Sequence, residues 1–303
     1  MCGTASEAAT IAKCATDGPC RWTSLRRAPV WYSSSSGGGQ QVAQLPISGT
    51  DLSYEERGQG TPILWLQGLG ADHTAWAPQL ARFASHYRCL APDNRGAGHT
   101  VPGKPFSLRT LAEDAVALLD ARAPGEPAHL VGLSMGASIA QELALGWPDR
   151  VRSLTLVSAF ARVEPRVREL LLAWRAIYPR VPTAAFQRQA NAWLFSWRFF
   201  ERPGAVDAVI AYAERQSPPS DWFVAQIDAS LAHDATDRLP SLSLPALVIA
   251  GAEDALTPPR LGRGLAALVP GARFLEIAEA GHSVNLEQQR PFNEALLAFF
   301  EAH

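Results

Sequence analysis

The side chains in this sequence best suited to covalent chemistry are Ser134, Asp254 and His282. Ser134 lies in Gly132-Leu133-Ser134-Met135-Gly136, a G-x-S-x-G pentapeptide. An apolar run, Ala128 to Val131, precedes it, and a helical pattern with Ile139, Leu143 and Trp147 at four-residue spacing follows. A serine on such a strand-to-helix corner has its hydroxyl thrust out of the turn, at the positive end of the helix dipole. The flanking glycines let neighbouring backbone pack close to the corner. Read alone, the pentapeptide also allows a glycine-rich turn in which Ser134 merely caps the helix. A serine hydroxyl is a weak nucleophile near neutrality and needs a base, which in turn needs an acid to orient it. His282, between Gly281 and the closing helix, is the candidate base, and Asp254, just past a strand, the candidate acid. Serine, then acid, then histidine is the chain order expected when the nucleophile sits on an elbow of this kind. Glu253 competes with Asp254. The spacing G-x-x-D from Gly251, followed by Thr257-Pro258, favours Asp254, whose alternative role is to cap the helix beginning near Pro258.

Acyl chemistry also needs donors for a developing oxyanion. The backbone N–H of Met135 is one candidate, and the N–H of Leu69, in the Gly68-Leu69-Gly70 loop, is the other. Asp93, Arg95, Gly96 and Gly98 form a further cluster, expected to brace the loop beside the elbow through a charged pair. His73 and His99 read as loop residues near it, and no cysteine, histidine or carboxylate spacing suggests a metal site.

These residues must be positioned by an alternation of strands and helices. Gln41 to Ile47 and Asp51 to Arg57 read as a hairpin with Ser48-Gly49 at its turn. Pro62 to Leu66, Tyr87 to Ala91, Ala128 to Val131, Val151 to Val157, Pro245 to Ala250 and Arg273 to Ile277 read as strands. The helices are Trp76 to Ala84, Leu108 to Arg122, one ending at Trp147, Pro259 to Leu268 and Gln289 to Phe300. Apolar strands alternating with helices imply a mostly parallel sheet covered on both faces. Ligands in such sheets bind beyond the C-terminal strand ends, where every polar motif above falls.

Between residues 158 and 237 strand signals vanish and aromatic, helical patterns dominate, with Pro203-Gly204 and Ser217-Pro218-Pro219 dividing the stretch into about four helices. This reads as a helical cap inserted into a core formed by residues 41–157 and 238–303. Trp193, Trp197 and Phe160 are the candidate pocket residues, while Arg188 and Arg198 read as a solvated helix face. Residues 1–40, ending in Ser33-Ser34-Ser35-Ser36-Gly37-Gly38-Gly39, have the composition of a disordered tail.

The 303 residues are enough for one large domain, and 47% hydrophobic with 18% charged residues reads as a soluble globular chain. A formal net charge of -2 gives no reason to invoke nucleic acid or an anionic membrane. No apolar run approaches the roughly 20 residues of a membrane helix. Met1 to Pro29 lacks the pattern of a signal peptide, so the expected compartment is cytoplasmic. Cys2, Cys14 and Cys20 fall in the tail, and Cys89 sits alone in a strand. Oligomeric state is not legible.

From about Gln41 onward the chain resembles the α/β-hydrolase superfamily. The resemblance is carried by Q-G-L-G (Gln67 to Gly70), D-N-R-G-A-G (Asp93 to Gly98), G-L-S-M-G (Gly132 to Gly136), G-A-E-D (Gly251 to Asp254) and G-H-S (Gly281 to Ser283). The stretch Gly132 to Val157 resembles the 3-oxoadipate enol-lactonases and related small esterases, and Gly68 to Pro102 resembles the aminoacrylate hydrolases of pyrimidine breakdown. Gln67 stands where the family usually has histidine, and Thr100 where serine is common. A serine at position 134 excludes the family's dehalogenases, whose nucleophile is aspartate. The resemblance implies an α/β-hydrolase fold and a cofactor-free serine hydrolase acting on a small ester or lactone through Ser134, His282 and Asp254. Carbon–carbon bond hydrolysis, a lyase or perhydrolase reaction on the same triad, and a non-catalytic ligand receptor remain open, because fold does not fix function.

Overall fold

The computed structural model describes residues 42–303 apart from Lys104, so the expected tail and its three cysteines lie outside the described residues. An eight-stranded sheet forms the centre, in the order β1-β2-β4-β3-β5-β6-β7-β8. Strands β1 (Ala43–Ile47) and β2 (Thr50–Arg57) make the expected antiparallel hairpin. Its first expected residue, Gln41, is outside the described residues. Strands β3 (Pro62–Leu66), β4 (Arg88–Pro92), β5 (Ala128–Leu133), β6 (Val151–Val157), β7 (Ala246–Gly251) and β8 (Arg273–Ile277) run parallel to one another. Strand β3 is buried at every residue, as a run of Pro-Ile-Leu-Trp-Leu covered on both faces must be.

Two helical layers cover the sheet. On one face pack α2 (Leu108–Arg122) and α3 (Met135–Gly146), through Leu111, Leu118, Ile139 and Leu143. Helix α2 starts at Ser107, whose hydroxyl accepts the Thr110 N–H while Thr110 returns a bond to the Ser107 N–H. On the other face lie α1 (Ala77–Phe83) and α11 (Gln289–Glu301), joined to the sheet by a ring cluster of Trp65, Trp76, Phe83, Phe292 and Phe300. Each of these fully buried rings contributes about 1.5–3 kcal/mol by leaving water. Helix α9 (Pro259–Leu268) follows β7. The short helix α10 (Val284–Glu287), which periodicity could not register in four residues, precedes α11.

Between β6 and β7 the chain forms five helices rather than about four: α4 (Pro165–Ile177), α5 (Thr183–Leu194), α6 (Trp197–Glu201), α7 (Ala205–Gln216) and α8 (Ser220–Leu231). Helices α4, α5 and α8 share an apolar cluster of Phe160, Leu171, Trp174, Phe186, Phe223 and Ile227, while α6 and α7 pack through Phe195, Phe199, Ala205 and Val209. The additional element is α6, set off from α5 by an extended Phe195-Ser196 pair. No helix among the described residues is long and apolar enough to cross a membrane.

Candidate active site

Ser134 sits at the turn from β5 into α3 with φ 55° and ψ -117°, a left-handed backbone that disfavours any residue with a Cβ. Strain of this kind costs on the order of 1–3 kcal/mol and persists only where its surroundings hold it. Here the Ser134 N–H donates to the Val157 carbonyl at 2.9 Å, tying the corner to the next strand. The flanking glycines are obligatory. A Cβ on Gly132 would lie 2.3 Å from the Gly136 carbonyl oxygen, and one on Gly136 would lie 2.1 Å from that of Leu66. The pentapeptide is therefore an elbow and not a capping turn; Ser134 makes no side-chain cap bond to α3.

Asp254 meets His282. The His282 Nδ1 is 2.9 Å from Asp254 Oδ2 and 3.1 Å from Thr257 Oγ1. The Thr257 hydroxyl is 2.7 Å from the same Asp254 Oδ2 and 3.1 Å from the Ser158 carbonyl. Asp254 Oδ1 accepts the N–H groups of Leu256 and Thr257, at 2.9 and 2.7 Å. The two readings of Asp254 are thus divided between its oxygens: one shapes the turn after β7, the other holds the imidazole. Glu253 gives its N–H to the Ala280 carbonyl, and it is Asp254 that meets the imidazole. Both Asp254 and His282 are buried, so their mutual orientation is fixed by packing as well as by hydrogen bonds.

The histidine loop has two supports that its sequence did not advertise. Ser158, with φ 49° at the end of β6, donates its hydroxyl to the His282 carbonyl at 2.8 Å. Glu287, buried on α10, accepts the Gly281 N–H at 2.8 Å through one oxygen. Its other oxygen accepts the Ser196 N–H at 3.0 Å and the Ser196 hydroxyl at 2.6 Å. Burial pushes the Glu287 carboxyl above the ordinary carboxylate range, while these donors pull the other way. Only the short i, i+5 spacing from His282 could have signalled it.

On the opposite side, the loop Gly68-Leu69-Gly70 approaches the elbow closely: a Cβ on Gly68 would be 3.4 Å from that of Ser134. Gln67, in place of the family's histidine, is buried and donates its side-chain amide to the Pro92 carbonyl. The expected Asp93–Arg95 pair does not form. Arg95 instead grips Asp114 of α2 with two bonds of 2.6 and 2.8 Å. Asp93 accepts the His73 N–H at 2.8 Å and the His99 N–H at 3.0 Å, with His73 Nδ1 also 2.8 Å away. Asp93 and Arg95, two residues apart, thus face different neighbours: the carboxylate faces the His73 and His99 amides, and the guanidinium faces α2. Burial lowers the His73 pKa, but Asp93, with Asp72 and Glu55, outweighs it and leaves it raised.

Ser134, His282, Leu69 and Met135 all line one cavity of about 740 Å³. Among the described residues no aspartate or glutamate lines it; its wall is largely apolar and aromatic, with Phe160, Trp174, Tyr178, Phe186, Phe195 and Phe223. Of the three expected pocket residues only Phe160 is among them. Trp197 is 55% exposed under the Arg198 guanidinium, because Phe199, two positions and about 200° further round the short α6, takes the inward place. Trp193 lies against Arg166, since Ala190 and Leu194, four apart, occupy the cavity face of α5. Arg188 and Arg198 are solvated, beside Asp207 and Glu279. Among the described residues no cluster of three or more histidine, cysteine, aspartate or glutamate side chains could hold a metal.

Known proteins share this fold. A family model described as the alpha/beta hydrolase fold matches residues 61–289. A protein named carbamate hydrolase RutD from Azorhizobium caulinodans is 33% identical over 253 residues, covering 82% of this chain and 94% of the relative. The crystal structure of a protein named non-heme bromoperoxidase BpoC from Mycobacterium tuberculosis superposes with a TM-score of 0.76 at 32% identity, over 83% of this chain and 96% of that one. That of the enol-lactonase from Burkholderia xenovorans does so with a TM-score of 0.77 at 29% identity, over 86% of this chain and 100% of that one.

Proposed function

The chain belongs to the α/β-hydrolase family, and from that premise we propose that it is a serine hydrolase of esters or lactones that works without a cofactor. The observation that carries the reading is His282, held from behind by Asp254 and beside Thr257, lining the same cavity as a strained Ser134. In this reading Nε2 of His282 takes the Ser134 proton as Oγ attacks the carbonyl. Asp254 fixes the Nδ1–H tautomer and stabilises the imidazolium. The N–H groups of Leu69 and Met135 receive the oxyanion. The imidazolium returns its proton to the leaving alkoxide. Water, deprotonated by His282, then cleaves the acyl-enzyme and regenerates the serine.

The wall of the cavity favours a substrate with a bulky apolar part. About 740 Å³ is some 25 times the roughly 30 Å³ that a water molecule occupies in the liquid, and the lining offers ring faces rather than carboxylates. The likeness to RutD and the enol-lactonase supports hydrolysis at a carbonyl carbon. The likeness to BpoC favours one second reading, in which hydrogen peroxide instead of water attacks the acyl-enzyme and leaves as a peracid.

The test is a series of p-nitrophenyl esters from acetate to decanoate, with a fluorophosphonate probe. Wild-type protein is expected to label rapidly and to prefer acyl chains of about six carbons or more. Ser134→Ala is expected to lose labelling and to lower kcat by at least about 10³-fold. Wild-type turnover in Ser134→Ala on every ester cleaved would overturn the assignment.

A further inference from the structure

The inserted helices do more than enclose the cavity; one of them reaches the loop that carries an oxyanion donor. Gln226, on α8, is completely buried, yet its neighbours in sequence are cap residues and its partners are not. Its Oε1 accepts the Gly70 N–H at 2.8 Å, and its Nε2 donates to the Arg95 carbonyl at 2.9 Å. One amide therefore bridges the two loops that follow β3 and β4. Only this orientation of the amide satisfies both partners, since Gly70 offers a donor and Arg95 an acceptor.

The surrounding contacts are built to the same end. A Cβ on Gly70, whose φ is +71°, would lie 2.8 Å from the Phe223 ring. A Cβ on Gly96 would lie 3.3 Å from both Trp222 Cβ and the Trp222 carbonyl oxygen. Residues 222, 223 and 226 fall on one face of α8 by their spacing of three and four, and that face sits directly on the two glycine loops. The Gly70 amide is held by no strand ladder, and a backbone donor at a packed interface needs an acceptor. Gln226 supplies it, and so fixes the peptide that immediately follows the Leu69 N–H.

We propose that Gln226 is a positioning residue: through the Gly70 N–H it sets the oxyanion loop, so that the inserted helices complete the catalytic site. The proposal rests on the serine-hydrolase reading. Gln226 touches neither substrate nor reacting atoms. Its influence belongs to the transition state, because a donor displaced by a fraction of an ångström stabilises the oxyanion less while leaving apolar binding intact.

The experiment compares wild type, Gln226→Leu and Gln226→Glu on the best p-nitrophenyl ester, with an n-alkylboronic acid as a second probe. The boron accepts the Ser134 oxygen, the serine proton passes to His282, and the tetrahedral adduct presents an oxygen to the oxyanion donors. Gln226→Leu keeps the side-chain volume but offers no acceptor. It is expected to lower kcat about 10- to 100-fold, to leave KM within about twofold, and to weaken boronate binding in parallel with kcat. Gln226→Glu retains an acceptor facing Gly70 and is expected to recover at least about half of the lost logarithm of kcat. Amide exchange at Gly70, read by NMR, is expected to accelerate in the leucine variant and not in the glutamate one.

Wild-type kcat in a folded Gln226→Leu protein overturns the proposal. So does equal damage in both variants, or a change in KM with boronate affinity untouched. If the leucine variant does not fold, the glutamate variant decides: a loss of more than about 100-fold in kcat with no change in Gly70 exchange rejects the proposed bridge. Turnover that is independent of Ser134 in wild type instead overturns the hydrolase reading, and is recognised before any Gln226 variant is made.

Discussion

Asp254 shows how one side chain answers two demands. Its Oδ1 accepts two backbone N–H groups and keeps the turn after β7 closed, while its Oδ2 faces the His282 Nδ1 and the Thr257 hydroxyl. Asp254→Asn leaves the turn's acceptor in place but puts an NH₂ where Oδ2 stood. His282 Nδ1 must then accept rather than donate and its proton moves to Nε2, so that in the proposed mechanism Nε2 can no longer take the proton of Ser134. The expected result is a fall in kcat of about 10²–10⁴-fold with little change in melting temperature. Glu253→Gln is expected to change kcat less than twofold; steady-state kinetics on the two variants checks both. That Asp254 is the carboxylate beside His282 was legible in the spacing from Gly251 and in Thr257-Pro258. The threonine's part was not, because a hydroxyl three residues on reads equally well as a helix cap until β7 and β8 bring the histidine loop beside it.

At the scale of elements, the parallel strands and their flanking helices announced themselves through apolar runs and helical spacing, and the long helices α2 and α9 match the expected bounds to the residue. The joints between elements did not. They depend on pairs far apart in sequence, such as Ser196 with Glu287 and Gly70 with Gln226, which no local pattern encodes. Trp197 was misread for the same reason: aromatic residues at helical spacing do not reveal which face is inward until a neighbouring element covers it. Helix α10 illustrates what a joint can do. Its Glu287 receives N–H groups from the residue before His282 and from Ser196 between α5 and α6, and Ser283 gives its own N–H to the Leu194 carbonyl at 3.0 Å. All the side-chain partners of Glu287 are donors. Glu287→Gln must therefore aim an NH₂ at one of them, costing about 1–3 kcal/mol for the unmatched donors. The histidine loop should shift with it, lowering kcat about tenfold. A lowered melting temperature with kcat unchanged would show that Glu287 supports the fold alone.

The balance of buried charge across the whole molecule sets how it tolerates acid. His129 of β5 is buried against the Phe300 ring at 4.4 Å, with its Nδ1 2.7 Å from the hydroxyl of Ser153, its register partner on β6. Desolvation, helped by the charges of Arg152 and His303, lowers its pKa from 6.5 to about 4. Below pH 6.5 the unfolded chain binds a proton at this site that the folded chain refuses, so stability is lost as pH falls from 6.5 to about 4. The difference of about 2.5 pH units corresponds to about 3 kcal/mol. Glu142 of α3 continues the loss. Burial raises its pKa, but hydrogen bonds from Arg238 and His233 outweigh burial and hold it at about 2. Its stabilisation is present above 4.5 and disappears as pH falls from there toward 2. It amounts to about 1–2 kcal/mol, since Arg238 is half exposed and screened. His73 has the opposite sign: its raised pKa contributes fully below 6.5 and is lost as pH climbs through its folded value. Stability should therefore peak near neutrality and fall on the acid side in two steps. Against a total of about 5–15 kcal/mol, the first step alone is a large fraction. Thermal melts from pH 7 to pH 4.5 should show the melting temperature dropping by about 5 °C or more. A His129→Leu, Ser153→Ala pair, which removes the imidazole without orphaning the hydroxyl, should flatten that slope and leave the step below pH 4.5 in place. A wild-type curve flat across that range, or an unchanged slope in the double variant, would mean that burial of a neutral His129 is not the source of the acid sensitivity.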